Sequence, residues 1–299
     1  MDTMKAADTL VCRQVTKTYG PKDAVKLVDL TLEKGKIYGM IGRNGAGKTT
    51  LLSLLSAQNP LTSGEITWNG QNIWENQEAL GHICFSRELN VSGANGSGIG
   101  GMTVKAYLRA AACYYPNWDE ELARELIEEF ELQTKQKLMK LSKGMLSMVT
   151  IVTALASKAD FTFLDEPVAG LDVVMREYFY KKLVEEFTES GRTFVVSTHI
   201  LEEAAAVFEE VIILRKGELL LKENTEELLG RAFSVTGLTE TVDKLTAGLE
   251  VHHPELIGRK KTVTVLLQPG QDLHGSSEVT VQPLSLQNVF VALCGREES

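Results

Sequence analysis

The chain has 299 residues, 43% hydrophobic, 24% charged and 7% aromatic, which is enough apolar surface for a core and excludes a disordered chain. Its 40 acidic residues outnumber 31 basic ones, a net charge of −9 that argues against a protein living on the phosphate backbone of nucleic acid. No apolar run reaches the roughly 18 residues of a membrane span, and Met1-Asp2-Thr3-Met4-Lys5 does not lead into a signal-peptide core, so the expected location is cytoplasmic.

In chain order, residues 10–15 and 25–32 are predicted strands, and the turn Glu33-Lys34-Gly35-Lys36 leads into the apolar strand Ile37-Tyr38-Gly39-Met40-Ile41. A Gly-rich loop follows, then Thr49-Thr50-Leu51-Leu52-Ser53-Leu54-Leu55 with helical spacing. Glu65-Ile66-Thr67-Trp68 and the turn Asn69-Gly70 predict a small β hairpin. Residues 93–101 are rich in glycine, but no lysine follows and no helix starts there, so they read as a flexible surface loop rather than a second nucleotide site. Residues 104–113, 120–131 and 142–157 carry apolar side chains at helical spacing. The runs Phe161-Thr162-Phe163-Leu164, Thr193-Phe194-Val195-Val196 and Val211-Ile212-Ile213-Leu214 alternate with helical stretches over 173–190 and 200–209, which implies a parallel sheet covered by helices. Beyond Leu221 the texture changes: Asn224-Thr225-Glu226-Glu227 is a helix start, and alternating pieces such as Thr262-Val263-Thr264-Val265 predict a small α+β appendage. The cysteines Cys12, Cys84, Cys113 and Cys294 are too scattered for a zinc site or a disulfide framework. His252-His253 does not suit a metal, because adjacent strand residues point to opposite faces.

The strongest chemical signal is Gly42-Arg43-Asn44-Gly45-Ala46-Gly47-Lys48-Thr49, a full match to the phosphate-loop pattern, set between a strand and a helix. Its glycines let backbone N–H groups turn inward on phosphates, and the helix N-terminus adds partial positive charge. Lys48 is placed to neutralise the β- and γ-phosphates, and the Thr49 hydroxyl to ligate Mg2+. Gly42, Asn44, Gly45, Ala46, Gly47 and Thr50 complete the candidate nucleotide-binding set. At the end of a later strand, Asp165 is the candidate that holds Mg2+ through water, and Glu166 the candidate base for the attacking water.

Leu141-Ser142-Lys143-Gly144-Met145 precedes that acidic pair at the mouth of a helix, Gly170-Leu171-Asp172 follows it, and Ser197-Thr198-His199 ends the next strand. With these motifs in order, residues 8–222 resemble the nucleotide-binding subunit of an ABC transporter. The resemblance implies an α/β fold: a P-loop NTPase (RecA-like) core with an antiparallel β subdomain and a helical subdomain at about 87–160. It divides the chain into a nucleotide-binding domain over 1–222 and a C-terminal accessory α+β domain over 223–299. It implies ATP and Mg2+ as cofactors, and a head-to-tail dimer with itself or a homologous subunit. Tyr19 matches the adenine-stacking aromatic, and Ser142 and Gly144 the signature loop that meets the γ-phosphate of the opposite subunit. Asp172 matches the loop linking the two sites, and His199 the switch histidine that orients Glu166.

The same resemblance places the chain on the inner face of the cell membrane, docked through its helical subdomain and residues 82–103 on integral-membrane subunits carried by separate chains. No nucleic acid is expected. Tyr114-Tyr115-Pro116-Asn117-Trp118-Asp119 and Pro283-Leu284-Ser285-Leu286-Gln287-Asn288-Val289-Phe290 are similar to the export-type bacterial branch, near subunits for bacitracin, bacteriocin and cell-envelope antibiotic resistance. Tyr114, Tyr115 and Trp118 read equally as core aromatics. Three departures stand out. Lys143 and Met145 replace the usual Gly and Gln of the signature. Residues 82–88 lack the coupling-loop glutamine, with Ser86 or Glu88 as substitutes. The usual basic residues are missing from Leu146-Ser147-Met148-Val149-Thr150-Ile151. Two rival functions are a soluble ABC-type ATPase acting on ribosome or DNA, and a regulatory binding module with little turnover.

Overall fold

A computed structural model describes residues 8–91, 98–275 and 278–295. Residues 93–97 of the glycine-rich segment lie outside the described residues, while its end forms a single 3-10 turn, Ile99–Gly101.

The chain opens with β1 (Thr9–Tyr19) and β2 (Lys22–Glu33), an antiparallel hairpin. Both strands outrun their predicted limits. Register shifts between Cys12 and Val15 and between Val15 and Lys17 interrupt the alternation by which a strand is read, yet pairing resumes beyond them. After β3 (Ile37–Gly42) and α1 (Lys48–Leu55), β4 (Ser63–Trp68) joins β1, and β5 (Gln71–Asn72) turns back on β4. Asn69 and Gly70 take positive φ there, 50° and 78°, as a two-residue hairpin turn requires.

A short α2 (Gln77–Gly81) precedes β6 (Ile83–Ser86). Then come the helices α3 (Val104–Tyr114), α4 (Glu120–Glu129) and α5 (Lys143–Ala156). β7 (Phe161–Asp165), α6 (Val173–Ser190), β8 (Thr193–Ser197), α7 (Leu201–Ala204), β9 (Glu210–Arg215) and β10 (Glu218–Asn224) complete a six-stranded sheet of order β10-β9-β3-β8-β7-β6. All its pairings are parallel except β10 with β9. The order β3-β8-β7 brings the carboxyl ends of the strands bearing Gly42, Ser197 and Asp165 side by side, the edge at which open α/β sheets bind ligands.

Side chains alternate across this sheet as period 2 demands. Tyr38, Met40, Phe161, Phe163, Val195 and Ile212 pack with α1 and the β1–β2–β4 layer. Ile37, Ile41, Phe194, Val196, Val211 and Ile213 pack on the helical side. The helix expected over 200–209 is corrected to one turn, α7, followed by a 3-10 turn at Ala205–Val207. The chain must straighten to enter β9, and the Phe208 ring lies so close over Gly39 that a Cβ there would sit 2.2 Å from it.

After α8 (Thr225–Gly230) come β11 (Ala232–Leu238), α9 (Thr239–Leu245), β12 (Glu250–Ile257), β13 (Lys260–Leu266), β14 (Val279–Pro283) and α10 (Leu286–Cys294). The strands form a separate antiparallel sheet of order β12-β13-β11-β14, so the appendage is α+β. Among the described residues no helix is long and apolar enough to cross a membrane.

Candidate functional site

The phosphate loop runs from the end of β3 to the start of α1. Gly45 and Gly47 have φ of 80° and 106°, which side chains rarely adopt. A Cβ on Gly47 would sit 2.4 Å from the Ala24 carbonyl oxygen, so β2 presses directly on the loop. The Gly217 amide donates to the Ala46 carbonyl (2.9 Å) and the Lys26 amide to the Gly217 carbonyl (2.8 Å), fixing the loop between β2 and the β9–β10 turn. Gly47 offers α1 no side-chain cap and its first turn holds no acidic residue, leaving its N-terminal amides for an anion.

Lys48 is only 7% exposed. Its ammonium donates to the Gly42 carbonyl (2.7 Å) and, among the described residues, has no carboxylate within ion-pair reach. A buried charge held by one carbonyl is undercompensated, and an anion in the loop would supply what is missing.

Asp165 at the end of β7 is 9% exposed, and its Oδ1 is buried without a hydrogen-bond partner. Thr49 is exposed in the first turn of α1. Among the described residues no three His, Cys, Asp or Glu gather into a protein-only metal site. An orphaned carboxylate oxygen and a hydroxyl are oxygen donors of the kind Mg2+ takes when substrate phosphates and water complete its shell.

Glu166 stands at φ 50°, an uncommon conformation for its type. Its amide donates to the Ser197 carbonyl (2.8 Å), which docks the end of β7 onto β8. Its carboxylate Oε2 lies 2.7 Å from His199 Nδ1, on a side chain 64% exposed.

The remaining candidates form a second cluster. Ser142 caps α5, its hydroxyl accepting from the Met145 amide (3.2 Å), and Asp172 caps α6, accepting from the Met175 amide (2.9 Å). Gly144 packs on the Gly170 backbone, where a Cβ would approach the Gly170 carbonyl oxygen to 2.5 Å. The Ser147 hydroxyl donates to the Ala169 carbonyl (2.7 Å), which ties the two cap regions together.

A cleft of about 960 Å³ joins Gly42, Asn44, Gly45 and Ala46 to Thr198 and His199. Ser142, Gly144, Asp172 and Tyr19 do not line it, and neither do Gly47, Lys48, Thr49, Thr50, Asp165 or Glu166. Tyr19 is exposed at the end of β1, with the Lys17 ammonium 5.1 Å from its ring centre. The cleft also takes Lys26, Arg215 and Lys216 from neighbouring strands and Phe290 and Cys294 from α10, none of which sequence reasoning singled out as site residues. Arg215-Lys216-Gly217 is a basic strand-end turn, a faint signal, and nothing local in the sequence puts α10 beside the phosphate loop.

Residues 25–169 match the family model described as ABC transporter. The ABC transporter ATP-binding protein NatA of Bacillus subtilis (strain 168) is 31% identical over 214 residues, covering 69% of this chain and 83% of NatA. The chain belongs to the ABC transporter ATP-binding family. It binds ATP and is an ATPase. The bacitracin transport ATP-binding protein BcrA of Bacillus licheniformis is 28% identical over 303 residues, covering 94% of this chain and 95% of BcrA, so the likeness extends through the appendage. A solved dimeric ATP-binding cassette in a post-hydrolysis state, bound to ADP and Pi, is 26% identical with a TM-score of 0.61, over 72% of this chain and 98% of that one.

The structure accounts for departures of this cassette from the common ABC pattern. Met145 packs against the main apolar cluster, and Leu146, Val149, Ile151 and Val152 are buried in it, so α5 is a core helix with no room for buried cations there. The Ser86 hydroxyl is buried and donates to the Thr150 carbonyl (3.0 Å), while the Glu88 carboxylate pairs with Lys143 (3.4 Å). Both candidate substitutes for the coupling-loop glutamine thus bind α5 or the signature loop.

Proposed function

We propose that the protein is the ATP-hydrolysing subunit of an exporter, with residues 1–222 as the nucleotide-binding unit and 223–299 as an accessory unit. One observation carries the hydrolytic assignment. Glu166 sits one residue beyond the orphaned Asp165 carboxylate, with His199 hydrogen-bonded to it, at the strand ends that flank the phosphate loop. Gly42, Asn44, Gly45, Ala46, Gly47, Lys48 and Thr50 hold the phosphates. Thr49 and Asp165 would hold Mg2+, which when bound neutralises phosphate charge. Glu166 accepts the proton of the attacking water, and His199 holds its carboxylate and presents Nε2 to the γ-phosphate.

Ser142, Gly144 and Asp172 form a cluster of their own at the starts of α5 and α6, and in this reading they act on the phosphate loop of a second copy in a head-to-tail dimer, with ATP binding the closed dimer better than the open one. Tyr19 stacks on the adenine. A groove of about 310 Å³ between β6 and α3, lined by Phe85, Arg87, Leu89, Tyr107 and Tyr114, receives a separate membrane subunit on the inner face of the membrane. Tyr115 and Trp118 pack against the core while Tyr114 stays 63% exposed, which separates the two readings of that aromatic stretch. End-to-end likeness to a bacitracin transport subunit supports the export direction.

The test is Glu166→Gln. ATP affinity is expected to persist while turnover falls by roughly 10²–10⁴, and a stable ATP-bound dimer should accumulate. Full turnover would overturn the base assignment. The same variant, drawn with ATP from detergent-solubilised membranes, should bring down a multi-spanning protein; ribosomal or DNA-repair proteins in its place would favour a soluble ATPase.

A further inference from the structure

The last helix belongs by sequence to the accessory sheet and by packing to the nucleotide core. The sheet has its own apolar cluster, formed by Val235, Val242, Val263, Val265 and Val279. Leu286, Val289 and Cys294 of α10 are buried instead in the main cluster, with Ile41, Leu201 and Ala204. The helix is set by its cap, Ser285, whose hydroxyl accepts from the Asn288 amide (3.3 Å), and by the Leu284 amide donating to the Ala232 carbonyl (3.0 Å). Near its other end, the Arg215 guanidinium donates to the Leu293 carbonyl (3.2 Å). Phe290 and Cys294 then line the same cleft as Gly42, His199 and Leu201.

The segment that α10 supports cannot hold itself. His199 is followed two residues later by α7, four residues long, too short for its own hydrogen bonds to fix it. Its place is set by packing, and α10 packs on it. On the far side, the His253 ring crowds the end of α10: a Cβ on Gly295 would lie 2.9 Å from it. His253 sits at φ 46° in the irregular stretch of β12, the edge strand of the accessory sheet. A continuous line of contacts therefore runs from that sheet through α10 to the segment bearing His199.

We propose that α10 is a positioning helix for hydrolysis, with Phe290 the side chain that holds the His199–Leu201 segment where His199 reaches Glu166. The accessory unit then controls turnover without touching ATP. The inference rests on the hydrolytic reading above.

The experiment measures steady-state ATPase kinetics and ATP affinity of the full chain for wild type, Phe290→Ala, Phe290→Leu, Arg215→Gln and Val291→Ser. Phe290→Ala should lower kcat about tenfold, because a displaced catalytic group costs rate rather than binding, with KM and ATP affinity changed by less than about twofold. Phe290→Leu, which restores apolar bulk, should recover most of that loss. Arg215→Gln, which frees the Leu293 carbonyl at an exposed position and leaves the core intact, should act in the same direction and reads the proposal even where Phe290→Ala fails to fold. Val291, 44% exposed on the outer side of α10, should tolerate Ser with kcat unchanged. Unchanged kcat in both Phe290→Ala and Arg215→Gln, or a raised KM at constant kcat, would overturn the proposal. Wild-type turnover that Glu166→Gln abolishes upholds the hydrolytic reading whatever Phe290 does; absence of wild-type turnover overturns both.

Discussion

Gly144 and Gly170 press backbone on backbone at the junction of the two cap regions, and Gly170 holds φ 82°. A methyl group on Gly144 would meet the Gly170 carbonyl oxygen at 2.5 Å, and neither partner is a flexible side-chain tip that could swing away. Gly144→Ala must therefore push the Ser142 cap and the Asp172 loop apart. The expected cost is about 1–3 kcal/mol of stability, the usual range for overpacking, read as a lower midpoint in denaturant unfolding. Because the phosphate loop lies elsewhere, ATP affinity should hold while turnover drops. The contrast with Lys48 is one of kind. Among the described residues Lys48 is buried with only a carbonyl partner, so its removal should relieve the free protein and, on the proposed function, take away a counter-charge of the bound phosphates.

The elements show why some features were legible in the sequence and others were not. The phosphate loop, the Asp165-Glu166 strand end and the Ser142 cap are each local: adjacent residues carry both the geometry and the chemistry. The register shifts of the β1–β2 hairpin break the alternation that marks a strand in the sequence, although pairing continues to Tyr19 and Lys22. Residues 200–209 have helical spacing throughout, but α7 stops at Ala204 and Phe208 packs over Gly39, a contact that spacing does not carry. The place of α10 in the cleft is a long-range contact that no local pattern carries.

β9 illustrates how an element's attachment can set a pH dependence. Burial acts to raise the Glu210 carboxyl, but hydrogen bonds from Lys222 and Lys36 outweigh it and hold the group below the ordinary glutamate value. A depressed carboxylate stabilises the fold above the unfolded glutamate pKa, about 4.3, and that contribution disappears as pH falls through the lower folded value. Glu210→Gln should thus lower stability at neutral pH and flatten the loss of stability below about pH 4.3, in chemical unfolding followed from pH 7 to pH 3. An acid limb as steep as that of the wild type would show that the β9 pairs with Lys36 and Lys222 do not contribute to it.

At the scale of the whole molecule, the candidate site residues of one chain fall into two groups. The phosphate loop, Asp165, Glu166 and His199 meet at one sheet edge, while Ser142, Gly144 and Asp172 sit together at the starts of α5 and α6. In the proposed dimer a twofold axis lets each copy offer its Ser142 to the other's loop, so that the same contact is made twice. The arrangement has a consequence that no single-chain site shares. A Lys48→Ala copy lacks a working loop but keeps an intact Ser142; a Ser142→Ala copy has the reverse. Ser142→Ala also removes a helix cap, worth about 1 kcal/mol, so its fold is checked by thermal unfolding before mixing. If copies pair at random, half the dimers are mixed and each holds one intact site, so the mixture should regain about a quarter of the wild-type rate. That figure applies if one intact site can fire alone; a strictly paired mechanism is distinguished by recovery of a single tightly bound ATP per mixed dimer without turnover. Neither turnover nor tight ATP binding above the level of the separate variants would place Ser142 in its own chain's site and remove the head-to-tail dimer from the mechanism.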